Sequence, residues 1–272
     1  MADVLRTWGR AGVDYVRIAR MWGRALRTYR ASFWMLVVSS FVTSSLDFVA
    51  LAIVFTHLDR LAGFDVREIA FLYGASGLGI GVADLLVGRV ERLGAMIRTG
   101  ALDAMLTRPV PLLVQVCADE FALRRITRIV QAGAVFAWGC WWIDWTPSRA
   151  ALTVLMVVCS AAIFIGLFLG FATVQFWTQE SAEVANAFTY GGNTITQYPL
   201  SVYPGEVVKA LTFGVPVAFV SWYPALEVLG RRDPFGSPAW FAYAPPVAAL
   251  AVGTAAALAW RAGVRHYRST GS

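Results

Sequence analysis

Three carboxylates lie inside long apolar stretches of this 272-residue chain: Asp47, Asp84 and Glu227. Ionisable groups are costly in such surroundings and default to functional candidates. Each carboxylate could carry protons or touch a polar substrate. Each could equally be a buried hydrogen-bond partner or an interface carboxylate. Asp47 shares a polar stripe with Ser40, Thr43 and Ser44. Other chemistries fail on residue supply, so no catalytic residue is assigned. A phosphate-binding loop needs Gly-Lys-Ser/Thr, but the only lysine, Lys209, stands between Val208 and Ala210. No His-Glu-x-x-His helix or Gly-x-Ser-x-Gly elbow occurs. His57 and His266 stand far apart, without ligand-like company, and support neither a triad nor a metal site. Cys117, Cys140 and Cys159 have no paired spacing and read as small packing residues.

The elements that hold these residues follow from composition. Hydrophobic residues make up 58% of the chain and charged residues 15%, against roughly 45–50% and 25% in soluble domains. A soluble fold of this length cannot hide so much apolar surface. Disorder and nucleic-acid binding need more charge and less apolar surface. The chain therefore reads as an all-α polytopic membrane protein. Six stretches approach the roughly 20 apolar residues that a spanning helix needs: 33–56, 69–88, 126–145, 151–177, 210–229 and 239–260. No alternating strand pattern suits a barrel. Prolines 216, 224, 245 and 246 should kink the last two spans.

Arginine placement orients the spans. On this topology, eighteen of the 23 basic residues fall on the side that holds both termini. The positive-inside rule puts that side in the cytoplasm, with the cell membrane the expected location. Trp138, Trp141, Trp142 and Trp145 then sit at the outer interface. No cleavable signal is read in the first 30 residues, so the first span serves as the targeting element. Three parts follow: a cytoplasmic segment 1–32, a transmembrane unit 33–260 with a cytoplasmic loop near 89–125, and a basic tail 261–272. In segment 1–32, Arg6, Arg10, Arg17, Arg20, Arg24 and Arg27 share one helical face opposite Trp8, Tyr15, Ile18 and Trp22. That pattern predicts an interfacial amphipathic helix, either anchored on lipid headgroups or docked on a cytoplasmic protein. Glu227 then lies near the outer end of the fifth span.

Ala70, Gly74, Gly77, Gly81, Asp84 and Gly88 form a small-residue face on the second span, and Ala162, Gly166 and Gly170 repeat the device on the fourth. Such faces let helices approach closely, within one bundle or between two copies. The string GLGIG at 77–81 has no preceding strand and is not a nucleotide loop.

The cytoplasmic loop IRTGALDAMLTRPV (97–110), with QYPLSVYP (197–204), VPVAFVSWYPA (215–225), LGR (229–231) and the ending WRAGVRHYRS (260–269), resembles the permease subunits of exporter-type ATP-binding-cassette (ABC) transporters. The closest subgroup is the six-span permeases encoded in pairs beside an ATPase. The ending departs from the family pattern at Arg268, where an acidic residue is usual. The resemblance implies a non-catalytic exporter permease that forms the substrate pathway. It also implies a separate ATPase partner that binds ATP and Mg²⁺, leaving this chain without a cofactor. A second permease copy or paralogue completes the pathway, and the paired genes favour a heterodimer. In the family the loop after the second span carries a coupling helix, which falls here on residues 98–111. Arg98, Asp103 and Arg108 would offer charged contacts there, and Leu102, Met105 and Leu106 an apolar knob. Gly100 and Pro109 would punctuate the ends. An ordinary basic cytoplasmic loop is the plainer alternative. The competing function is a proton-coupled secondary transporter using Asp47 or Asp84, against which no internal repeat is evident.

Overall fold

The computed structural model describes Tyr15 and residues 30–119, 124–178 and 182–267. The arginine face expected of segment 1–32 lies outside these residues. The side chain of Asp47 does too, although its backbone belongs to the first helix. The regular elements among the described residues are all helices, and the sole β-type pairing among those residues is the bridge Leu61–Phe64.

Helix α1 covers Arg30–Val54 and α2 covers Val66–Val87. A capping box starts α2: the Asp65 carboxylate accepts from the amides of Arg67 and Glu68, and Glu68 accepts from the Asp65 amide. Three orphan donors are satisfied at once, so the start is sharply set. After α2 the chain tightens into a 3₁₀ turn, Gly88–Arg92, and then forms α3, Leu93–Arg98. Two short helices follow, α4 (Ala101–Leu106) and α5 (Leu112–Ala118). Next come α6 (Arg124–Cys140), α7 (Pro147–Thr173) and α8 (Ala182–Thr196). The carboxy-terminal part holds α9 (Gly205–Lys209), α10 (Trp222–Leu229) and α11 (Pro245–His266).

Four helical runs are long and apolar enough to cross a membrane: Val37–Val54, Val66–Arg98, Pro147–Phe176 and Pro245–His266. Three of the six expected spans depart from the sequence expectation. The fifth is broken rather than kinked: Gly205–Gly214 and Val217–Leu229 meet at an angle of 87°. The cause is local. Val215 is extended (φ −115°, ψ 99°), as residues before proline tend to be, and Pro216 cannot donate to continue the ladder. The third, α6, holds 17 residues and stops at Cys140, so it carries Trp138 but ends before Trp141, Trp142 and Trp145. The sixth starts at Pro245, behind a 3₁₀ turn, and runs on to His266.

The helix α2 is central. Helices α6 and α7 pack along it, and α11 packs on α7. The small-residue faces make those seams. A Cβ on Gly74 would stand 2.5 Å from the Phe136 Cα, so no side chain fits there. Gly77 and Gly81 lie against Ala132 and Ile129 of α6, and Gly166 and Gly170 against Val252 and Ala256 of α11. Both faces are thus spent inside the protomer. By contrast, α1 leaves Trp34, Met35, Val38, Phe41 and Val42 exposed. Among the described elements it touches the bundle mainly through α6.

Opposite the arginine-rich end of the bundle, Arg231 clasps Glu68 with two bonds, Nε to Oε1 at 2.7 Å and Nη2 to Oε2 at 2.8 Å. Arg67 stacks 3.7 Å over the Trp142 ring. Glu68 therefore serves both the α2 cap and the clasp. Glu68→Ala is expected to cost about 1–2 kcal/mol because it loses both. Arg231→Ala should cost under about 1 kcal/mol, since its guanidinium is part-exposed and screened. Thermal unfolding in detergent measures the difference; equal losses would remove the cap from the account.

Candidate functional site

Polar side chains from α2, α6 and α8 converge in one tract. Its lower end is a charge cluster. Arg125 Nε lies 3.1 Å from Asp84 Oδ1, an ion pair without hydrogen-bond alignment, while Arg125 Nη1 donates to the Asp84 carbonyl at 3.0 Å. Arg128 Nη1 is 3.8 Å from Asp84 Oδ2, and its guanidinium lies 5.4 Å over the Tyr190 ring. Tyr190 and Glu91 border the same cluster. At 1.5 Å per residue, Asp84 stands about 27 Å along α2 from its start, at the far edge of a hydrocarbon core about 30 Å thick. Arginines that begin α6 at that level can turn their heads toward headgroups. The placement suits an interfacial ion pair better than a mid-membrane proton carrier.

The upper end lies deeper. Ser76, about 15 Å along α2, sits at the depth of the bilayer centre. Its hydroxyl donates to Asn193 Oδ1 at 3.0 Å and shares a 2.5 Å hydrogen bond with the Thr196 hydroxyl. Ser221 donates to the Thr196 carbonyl at 2.8 Å, which ties in the broken span. Between the two ends lies a cavity of about 320 Å³, walled by Tyr73, Gly77, Arg128, Gln131, Tyr190, Asn193 and their neighbours. Gln131 is 7% exposed and its Nε2 has no hydrogen-bond partner among the described residues.

The loop 98–111 forms a compact unit below this tract. Gly100 takes a left-handed conformation (φ +69°) and turns the chain from α3 into α4. Leu102 and Met105, expected on a docking knob, are instead buried, Leu102 completely. Their i, i+3 spacing forms the inner face of α4, which packs toward α3 and α5. Arg98, Leu106, Arg108 and Pro109 remain exposed. Asp103 accepts from the Tyr267 hydroxyl at 2.8 Å, a bond that joins α4 to the end of α11. Burial, with that hydrogen bond adding to it, pushes the Tyr267 phenol up to about 12, so it stays a donor.

Two glutamines that the sequence did not single out brace the unit. Gln175 Oε1 accepts from the Gly94 amide at 2.7 Å, and Gln115 Nε2 donates to the Met105 and Val110 carbonyls at 2.9 and 2.7 Å. Glutamines carry no signal for this in sequence, because either end can pair with any backbone group. Glu227 is exposed at the end of α10, beside a second cavity of about 360 Å³ that Arg231, Arg232 and Asp233 also line. Among the described residues no three His, Cys, Asp or Glu side chains group as metal ligands. Burial pushes the Cys117 thiol up to about 12 and leaves it inert.

Several long apolar helices packed around a polar tract are those of a multi-pass membrane protein. The chain belongs to the ABC-2 family of transporter proteins, whose sequence profile matches residues 41–271. It is accordingly an ABC-transporter permease, and permeases of this family are generally non-catalytic membrane subunits that work with an ATP-binding-cassette ATPase. No curated protein and no solved structure matches the chain.

Proposed function

We propose that this chain is the permease of an ATP-driven exporter in the cytoplasmic membrane, coupled through the loop 98–111 to a separate ATPase that binds ATP and Mg²⁺. The observation that carries the coupling is the division of α4 into a buried face and an exposed one. Leu106, Arg108 and Pro109 stand out from a unit that Gln115, Gln175 and Tyr267 tie to the span ends. A push on the exposed face therefore reaches α2, α7 and α11 through short bonds. A second permease, by preference a paralogue, completes the pathway. Six crossings follow if α6 and the broken pair each count as one, with both termini cytoplasmic.

Co-purification tests the partnership. The tagged chain should retain a P-loop ATPase encoded beside it; a folded permease that retains none overturns the proposal. Orientation has its own test in intact cells. Single cysteines at Asp65 and Asp233 should react with an impermeant thiol reagent, while one at Thr99 should not. Labelling at Thr99 from outside would invert the topology.

A further inference from the structure

We propose that the cavity between α2, α6 and α8 binds an anionic amphipath, with a carboxylate or phosphate head on a single apolar body. The inference rests on the transport reading above and names the class of substrate. Four observations carry it. Among the described residues the wall includes no Asp or Glu, and each of its polar side chains can donate a hydrogen bond. Gln131 Nε2 is buried without a partner among the described residues, and a group so placed at membrane depth loses its solvation unless a ligand acceptor reaches it. The Asn193 amide has its oxygen occupied by Ser76, so its Nδ2 is what it can offer. Arg128 borders both this cavity and the charge cluster.

The described carboxylates that share the charge cluster with Arg128 are Asp84 and Glu91. Asp84 is held at 3.1 Å by Arg125, leaving Arg128 with a 3.8 Å contact and the face of Tyr190. Arg128 is 39% exposed at its side chain. It can therefore swing toward a head group and make the bidentate contact that guanidinium offers to carboxylate and phosphate. The rings of Tyr73, Tyr190 and Tyr198 supply walls for an apolar body. A volume of about 320 Å³ lies at the small end of ligand pockets. It fits one chain or a small ring system rather than a whole two-chain phospholipid.

Direct binding to the purified full chain in lipid discs tests this without any ATPase. Radiolabelled oleate is the probe, and dodecyl phosphate, inorganic phosphate, oleyl alcohol and dodecyltrimethylammonium are the competitors. Dodecyl phosphate should displace oleate at similar concentration, and the other three should need at least tenfold more. Enriching the discs in phosphatidylglycerol should leave oleate binding within twofold. Arg128→Gln should weaken oleate at least tenfold and Gln131→Leu at least threefold, with Arg232→Gln unchanged. Gln131→Glu, which keeps shape and introduces a negative charge, should reject oleate and admit the ammonium probe. This last variant decides the matter even if Arg128→Gln fails to fold. Equal displacement by inorganic phosphate, oleyl alcohol or phosphatidylglycerol overturns the proposal, as does wild-type affinity in the Gln131 variants. Failure here would leave ATPase co-purification untouched. Loss of co-purification alone would leave this binding untouched.

Discussion

Asp84→Ala is expected to destabilise the protein by about 1–3 kcal/mol, because it takes the ion-pair partner from a half-buried arginine. The Arg125 side chain is 15% exposed and has Asp84 as its ion-pair partner, with further support from the Asp84 carbonyl. Removing the carboxylate leaves that cation at the edge of the hydrocarbon, whereas replacing both partners by apolar groups is often close to neutral. Asp84→Leu with Arg125→Leu should therefore recover most of the loss, as read by thermal unfolding in detergent. A double variant no better than Asp84→Ala would mean that the carboxylate matters for something other than Arg125. Asp84→Asn keeps the shape and separates the transport classes. If ATP drives transport, the activity left in this variant should not respond to an uncoupler. Transport that persists without ATP and collapses with the uncoupler would select proton coupling instead.

Arg98→Glu with Arg108→Glu is expected to abolish recovery of the ATPase while the permease remains inserted and folded. Both side chains are exposed at the ends of the loop unit. Interfaces concentrate binding energy in arginine and large apolar anchors, and losing about 2 kcal/mol at one anchor lowers affinity roughly thirtyfold. Leu106→Ala, at 47% exposure, should weaken recovery in the same assay. Leu102→Ala should behave differently. That side chain is fully buried, so its loss costs about 2–5 kcal/mol of fold stability rather than affinity. A Leu102 variant of normal stability that fails to recover ATPase would return Leu102 to the interface. Should the arginine variant recover its ATPase normally, docking lies elsewhere, with the arginine face of segment 1–32 the next place to look.

Several features were legible in sequence because local physics decides them. The start of α2 was not among them: the sequence pattern places the second span from residue 69, while the Asp65–Glu68 capping box starts the helix at Val66. Gly74, Gly77 and Gly81 mark a close approach, since their spacing leaves a strip of bare backbone on one helix face. The start of α8 could not be read, because a helix of 15 residues carrying Asn193, Thr194 and Thr196 looks like a polar loop. Only its packing against α2, where Ser76 meets Asn193 and Thr196, places it beside the apolar spans. Burial on α4 was ambiguous for a related reason. Leu102, Met105 and Leu106 are alike in polarity, and which of them faces inward depends on where α3 and α5 lie.

What the sequence determined alone was the solvent. With 58% hydrophobic and 15% charged residues, the chain has to place apolar helices in a bilayer. Tertiary structure decided which polar groups meet. On the next helix in space Asp84 pairs with Arg125, forty-one residues away in sequence, and at longer distance with Arg128. Gln131, close by on that same helix, has none among the described residues. Hydropathy averages over windows of one helix and cannot register a pairing between two. The difference between a satisfied ion pair and an open donor, on which the binding site rests, exists only once α2, α6 and α8 are packed together.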